Sequence, residues 1–101
     1  MEKVYRQGDI LFFEVKDLPE GLKVRENKII AEGEATGHKH RLEETSDGLL
    51  FEDENGNLFL RSNVITTIIH EEHKPIALPK GNYKILRQKE YSPEGWREVR
   101  D

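Results

Sequence analysis

Val64-Ile65-Thr66-Thr67-Ile68-Ile69 is the stretch of sequence that decides the fold, because it places six β-branched residues in a row. Branching at Cβ restricts χ1, so such a run is a strong strand former and a poor helix former. The next residues are His70-Glu71-Glu72-His73-Lys74-Pro75, and Pro75 prevents a helix from continuing through it. We therefore predict a strand over residues 64–69 with a pair of histidines at its end or in a tight turn.

Short apolar segments with strand-like spacing surround this run. Leu49–Glu52 and Leu58–Arg61 flank Glu54-Asn55-Gly56-Asn57, and Asn-Gly is a strong signal for a β-hairpin. Three Pro-x-Gly segments, which start at Pro19, Pro79 and Pro93, predict further turns. The other predicted strands are Ile10–Val15, Lys28–Gly33, His38–Glu43, Ile76–Leu78 and Asn82–Glu90, with a last strand or one helical turn at Trp96–Val99.

The length of the chain limits the architecture to one domain over residues 1–101, since domains usually contain about 100–150 residues. Eight or so short strands in a chain of this size predict an antiparallel barrel or sandwich, because closure or double layering protects the strand edges. We expect an all-β fold, a small antiparallel β-barrel, with at most one short helical turn near the C-terminus.

Composition excludes several classes of function. The absence of cysteine excludes disulfide scaffolds, thiolate zinc sites, iron–sulfur clusters and cysteine catalysis. A net charge of −4 argues against a generic nucleic-acid coat. Since no apolar run approaches the ~18 residues of a membrane span and the start is no signal peptide, we expect a cytoplasmic protein without a membrane partner.

All four histidines fall into two close pairs, which is the most informative feature of the sequence. Side chains alternate along a strand, so His38, His40 and Leu42 share one face, and Leu42 indicates that this face is the inner one. If the strand over residues 64–69 persists, His70 continues one of its faces. His38, His40, His70 and His73 are therefore the predicted metal ligands.

Nitrogen donors favour a divalent transition metal such as zinc, iron, nickel or manganese, with copper also compatible, over magnesium or calcium. If three histidines bind and the fourth acts as acid or base, the ion keeps an open position for chemistry. If all four bind, the site is closed and structural. The sequence leaves both arrangements open.

Charged residues next to the histidines are candidates for chemistry and substrate binding. Carboxylates at Glu43, Glu44, Glu71 and Glu72 lie close to the pairs in sequence. We assign acid–base roles to His70, His73, Glu43 and Glu72. We assign substrate binding to Lys39, Arg41, Arg87 and Tyr83.

Two resemblances follow from these motifs. Gly37-His38-x-His40 with Glu43 or Glu44 is similar to the metal-binding pattern of cupins, although His70 and His73 precede Pro79-Lys80-Gly81 rather than follow it. The chain more closely resembles a group of small uncharacterised prokaryotic and phage proteins. That resemblance rests on Gln7-Gly8-Asp9, Gly37-His38-x-His40, His70-Glu71-Glu72-His73-x-Pro75-Ile76, Gly81-x-Tyr83 and Arg87-Gln88-x-Glu90-Tyr91-x-Pro93. It implies that the histidine pairs belong to a recurring architecture and supplies no catalytic residues.

Three functions remain open. The first is a metal-dependent barrel protein that acts on a small anionic substrate, as a hydrolase or a cupin-type enzyme, because charged residues border the imidazoles. The second is a metal-independent histidine acid–base nuclease or phosphodiesterase that contacts RNA through bases such as Lys89 and aromatics such as Tyr91 and Trp96. The third is a non-catalytic binding module. A homodimer is possible in each case.

Overall fold

The computed structural model describes residues 3–32 and 37–88, and these residues form eight antiparallel strands and no α-helix. The predicted all-β class is confirmed, and the sheet curls into a half-barrel. None of the described residues belongs to a helix long and apolar enough to cross a membrane. The predicted strand or helical turn at Trp96–Val99 and the turn at Pro93 lie outside the described residues. The strands are β1 (Val4–Gln7), β2 (Ile10–Val15), β3 (Lys23–Val24), β4 (Ile29–Glu32), β5 (Lys39–Leu42), β6 (Gly48–Glu52), β7 (Leu58–Ile69) and β8 (Ile76–Arg87).

Strand β7 is the centre of the sheet. The order is β1-β2-β8-β7-β5-β4, with β6 paired to β7 and β3 paired to β6. One edge of β7 pairs with β8 along most of its length, while the other edge pairs first with β6 and then, at Ile68 and Ile69, with β5. The predicted strand over residues 64–69 is thus confirmed as the second half of a longer strand.

The hairpin predicted at Asn55-Gly56 is confirmed. Strands β6 and β7 pair antiparallel up to Glu52 and Leu58. Inside the loop a carboxylate oxygen of Asp53 accepts hydrogen bonds from the backbone N–H groups of Asn55 and Asn57, both at 2.9 Å. The hydrogen bond from the Asn57 side chain to Asp53 at 2.9 Å, followed by these backbone hydrogen bonds, lowers the pKa of Asp53.

The turn predicted at Pro79-Lys80-Gly81 is wrong, because these residues lie inside β8. The register with β7 shifts between Ser62 and Ile65, which face Gly81 and Pro79 respectively. This bulge tolerates a proline, which has no N–H to donate to the ladder, within a long strand. The local Pro-x-Gly signal therefore marks an irregularity of the strand rather than a reversal of the chain.

Most of the buried apolar side chains of the described residues form a hydrophobic core. Tyr83 belongs to it, and burial, followed by the charges of Tyr5 and Glu14, raises the pKa of Tyr83 to about 12. The hydroxyl of Tyr83 donates to the carbonyl oxygen of Pro79 at 2.7 Å. The core consists of Ile10, Phe12, Ile30, Leu42, Leu50, Leu60, Ile68, Leu78, Tyr83 and Ile85.

The close contact between Gly48 on β6 and Thr66 on β7 can be tested by substitution. A Cβ atom added at Gly48 would lie 2.8 Å from Cγ2 of Thr66 and closer still to its hydroxyl oxygen. That hydroxyl is held 3.1 Å from the Asp47 carbonyl oxygen and 3.0 Å from the Ser62 hydroxyl. We expect Gly48→Ala to lower the free energy of unfolding by about 1–3 kcal/mol through overpacking, measured by chemical denaturation.

The control for this prediction is Leu49→Thr at the adjacent, exposed position. Because Leu49 is exposed and threonine, a β-branched residue, is a good strand former, we expect a change below about 0.5 kcal/mol. Equal losses in the two variants would contradict the proposed packing of β6 on β7.

Candidate metal centre

Three segments that are far apart in sequence meet at the histidines. His38 lies directly before β5 and His40 lies within it, while His70 and His73 lie in the loop between β7 and β8. The pairing of Arg41 with Ile69 brings the first pair next to the second. Gln7 at the end of β1 and Asp9 in the following turn complete the site from across the curled sheet.

All four imidazoles form one cluster. Ring centroids lie 4.3 Å apart for His40 and His70, 4.6 Å for His70 and His73, and 5.7 Å for His40 and His73. Each of these three residues offers one ring nitrogen, and the three nitrogens lie within 4.8 Å of one another. His38 is at the margin of the cluster, with its ring 5.6 Å from that of His70 and its Nδ1 3.3 Å from a carboxylate oxygen of Glu72.

Gln7 fixes the protonation of the His40 ring. The Gln7 amide donates from Nε2 to the carbonyl oxygens of Ile68 and Lys74, both at 3.0 Å, so its Oε1 faces His40 Nδ1 at 2.9 Å. An amide oxygen can only accept a hydrogen bond, so Nδ1 of His40 carries the proton. The lone pair of neutral His40 is therefore on Nε2, which is the tautomer that binds a metal through Nε2.

Asp9 places a negative charge at that lone pair. Its Oδ1 lies 3.5 Å from His40 Nε2, and its Oδ2 lies 3.3 Å from Nε of Arg87. Two acceptor atoms that face each other at this distance favour a cation or a proton near them. The negative charge of Asp9 thus favours a positive ion at the site. Asp9 also connects the site to Arg87.

His70 is held differently from His40. Its Nδ1 accepts the backbone N–H groups of Glu72 at 3.0 Å and of His73 at 3.3 Å. Burial, followed by the charge of His73, lowers the pKa of His70, which favours the neutral ring. A neutral ring that accepts at Nδ1 carries its proton on Nε2. Metal binding through either nitrogen of His70 therefore requires the loop to release these two amide contacts.

The predicted alternation on β5 is present, with His40 and Leu42 buried and Lys39 and Arg41 half-buried on the other face. The Lys39 backbone N–H donates to both carboxylate oxygens of Glu71, at 3.1 and 3.2 Å, and this hydrogen bond is the largest cause that lowers the pKa of Glu71. Arg41 lies 3.8 Å from the same carboxylate. Glu71 therefore fastens the histidine loop to β5.

The other predicted site residues lie in different places. Glu72 is beside His38, and Arg87 reaches His40 through Asp9. The carboxylate of Glu43 accepts a hydrogen bond from the Thr45 hydroxyl at 2.7 Å. Tyr83 is buried in the core, so this placement gives its predicted substrate contact no support.

Sequence reasoning missed the roles of Gln7 and Asp9, although Gln7-Gly8-Asp9 was visible as a motif. The available signal was a polar residue followed by a glycine that turns the chain, with φ at 60° for Gly8. The sequence does not reveal that this turn meets β5 and the loop after β7, because the contact spans the curled sheet.

The comparison with known families matches residues 6–88 to a family described as a domain of unknown function, DUF8820. The chain belongs to this family. The matched region contains Gln7, Asp9 and both histidine pairs, which agrees with the predicted resemblance to an uncharacterised group. No curated protein and no solved structure is significantly similar to the chain, so these comparisons give the cupin resemblance no support.

The contact between Gln7 and His40 predicts a specific mutational signature. Gln7→Leu removes the acceptor for His40 Nδ1–H and leaves two backbone carbonyl oxygens without their donor. We expect a loss of about 1–3 kcal/mol in the free energy of unfolding and a loss of the fixed tautomer. Chemical denaturation and the ¹⁵N chemical shifts of the His40 ring measure the two effects.

Gln7→Glu is the conservative counterpart, since it keeps an acceptor for His40 and removes the donor to Ile68 and Lys74. It should retain the Nδ1–H tautomer of His40 and lose part of the stability. If His40 showed the same ring nitrogen shifts in wild type and in Gln7→Leu, Gln7 would not be the residue that sets the tautomer.

Proposed function

We propose that this protein binds one divalent transition metal ion through His40, His70 and His73, and that it acts on a small anionic substrate at that ion. The observation that carries the proposal is the convergence of three ring nitrogens within 4.8 Å of one another. The Nδ1–H to Gln7 contact supports it further, because metal-binding histidines usually donate their second nitrogen to a fixed acceptor.

The size of the cluster fits a first-row ion. At metal–nitrogen distances of ~2.1 Å, donors in a tetrahedral site lie ~3.4 Å apart. The three nitrogens therefore need to approach one another by at most about 1.4 Å. A rearrangement of the turn in which His70 releases its two amide contacts can provide this movement. A donor set made only of imidazole favours zinc, iron or nickel over magnesium and calcium.

Three protein ligands leave an open position, which supports catalysis over a sealed structural site. A bound ion of this kind supplies a polarising charge and lowers the pKa of a coordinated water. His70 and His73 are only half-buried, so solvent and a small substrate can approach. His38 and Glu72, paired at the rim, are positioned to exchange a proton with a bound molecule. The reaction class we propose is hydrolysis.

The metal-independent nuclease is the less favoured function. It requires aromatic side chains on an exposed basic surface, whereas Tyr83 lies in the core. Tyr91, Trp96 and Lys89 lie outside the described residues. A cytoplasmic location remains part of the proposal.

A calorimetric titration of the purified protein with zinc tests the proposal. We expect one ion per chain in the wild type and a loss of affinity of about 100-fold or more in His40→Ala, because a direct ligand contributes at least as much as its hydrogen-bonded partners. His38→Ala is the matched control, since it removes an imidazole from the same face of the same segment. It should bind zinc within about threefold of the wild type.

The absence of stoichiometric binding by zinc, iron, nickel, manganese and copper would overturn the metal site and favour metal-independent acid–base chemistry. Equal losses in His38→Ala and His40→Ala would show that the ion is held by a different set of histidines.

A second prediction concerns the loop. Because His70 binds metal only after it releases two backbone amides, the N–H groups of Glu72 and His73 should lose their acceptor when zinc binds. We expect large changes in these two amide signals in ¹H–¹⁵N NMR spectra, together with faster hydrogen exchange. The Asn55 and Asn57 amides, held by Asp53 in another loop, should stay unchanged. Unchanged Glu72 and His73 signals at full zinc occupancy would exclude His70 as a ligand.

A further inference from the structure

A cavity of about 210 Å³ lies on the concave side of the half-barrel, outside the histidine cluster. Its volume is below the ~300–1,000 Å³ of pockets for drug-sized ligands, so it suits a smaller molecule. The bulge between Ile29 and Ala31 directs consecutive residues of β4 toward it. The lining of the cavity includes the side chains of Ile10, Ile30, Ala31, Glu32, Ile85 and Arg87.

The register of the strands places this cavity on the same face of the sheet as the histidines. Residues that face each other on neighbouring strands direct their side chains to the same side. Ala31 of the cavity faces His40 on β5. Ile10 faces both Gln7, which contacts His40, and Arg87. Two independent rows of side chains therefore lead from the cavity to the histidine cluster.

The lining combines buried isoleucines with one guanidinium group, and it also includes the polar side chains of Glu32 and Asn57. The isoleucines are the core residues Ile10, Ile30 and Ile85. Arg87 is paired with Asp9 through Nε, and a guanidinium group has five N–H donors in a planar fork. The fork can therefore hold a carboxylate while it keeps its contact with Asp9.

We propose that this cavity binds a small carboxylate with a short apolar body, and that it is the substrate pocket of the neighbouring histidine site. The carboxylate pairs with Arg87, and the apolar body packs against Ile10, Ile30 and Ile85. The side chain of Glu32 also lines the cavity and repels an anionic ligand. This repulsion favours placement of the ligand carboxylate at Arg87. Only the assignment as substrate pocket rests on the proposed metal-dependent function. Ligand binding itself requires no metal.

Three probes of equal length and different charge test the ligand class: hexanoate, hexanamide and hexylamine. Binding is measured by NMR titration of the metal-free protein and of the zinc-loaded protein. We expect hexanoate to bind about tenfold or more tightly than hexanamide, since a carboxylate forms a bidentate ion pair with a guanidinium group and an amide does not. Hexylamine should bind more weakly than both, and the shifted signals should come from Ile10, Ile30 and Ile85.

Variants of the lining test the geometry. Arg87→Gln should remove the preference for hexanoate over hexanamide, whereas Lys84→Gln, on an exposed position of the same strand, should keep it. Ala31→Leu should fill the cavity and weaken all three probes by about tenfold. Glu32→Gln should tighten hexanoate by removing a repulsive charge. Circular dichroism and zinc affinity confirm that each variant remains folded with its metal site intact.

Equal affinity for the three probes, or probe affinities unchanged by Ala31→Leu, would overturn the pocket. Hexanoate binding that occurs only in the zinc-loaded protein and persists in Arg87→Gln would also overturn it, because the carboxylate would then bind the ion directly. Failure of zinc to bind leaves the titrations of the metal-free protein intact, so failure of the pocket and failure of the metal centre are distinguishable.

Discussion

The site depends on the side chain of Gln7, a buried amide on the edge strand β1. Its nitrogen donates to backbone oxygens at the end of β7 and in the loop that follows, and its oxygen accepts from His40. One amide therefore holds the curled sheet together across its concave side and sets the tautomer of the most buried histidine. Because both polar ends are buried and satisfied, the amide cannot reverse without the loss of all three contacts.

This constraint makes the histidines of the cluster unequal. His40 is buried on a strand, with a proton on Nδ1 and its Nε2 directed at the carboxylate of Asp9. His70 is half-buried in a loop, and its Nδ1 caps the turn made by Glu72 and His73. In the proposed metal site, His40 is already oriented by the sheet, whereas His70 also stabilises its own turn. Closure around an ion would then need a local change of the loop while the sheet stays fixed.

Charge around the cluster is arranged in pairs. Glu71 fastens the loop to β5 through the Lys39 amide and Arg41, and Asp9 joins Arg87 to His40. Lys39 and Arg41 are the predicted substrate-binding bases. Both lie beside the carboxylate of Glu71, which holds the loop against β5. Arg87 differs from them because it borders a cavity that is partly lined by buried isoleucines. This position favours Arg87 as the residue that recognises an anionic ligand.

Local sequence signals determined the fold class, the Asn55-Gly56 hairpin, the strand through residues 64–69 and the inner face of β5. Each of these depends on neighbours in the chain: χ1 restriction in β-branched residues, positive φ in a turn, and alternation along a strand. The same signals singled out the four histidines as candidates. The Pro79-Lys80-Gly81 segment misled, because the bulge that accommodates it lies on the partner strand.

Only the tertiary structure decided how the candidates are used. The contacts of Gln7 with Ile68 and Lys74 join residues more than 60 positions apart, and the contact of Asp9 with Arg87 joins the turn after β1 to the end of β8. No local pattern encodes such pairs, since they arise from the curvature of the sheet and the register of its strands. The sequence by itself therefore determined which residue types are present for chemistry. The curled sheet decided which nitrogen of His40 carries a proton, which histidine lies at the margin, and which arginine faces a cavity.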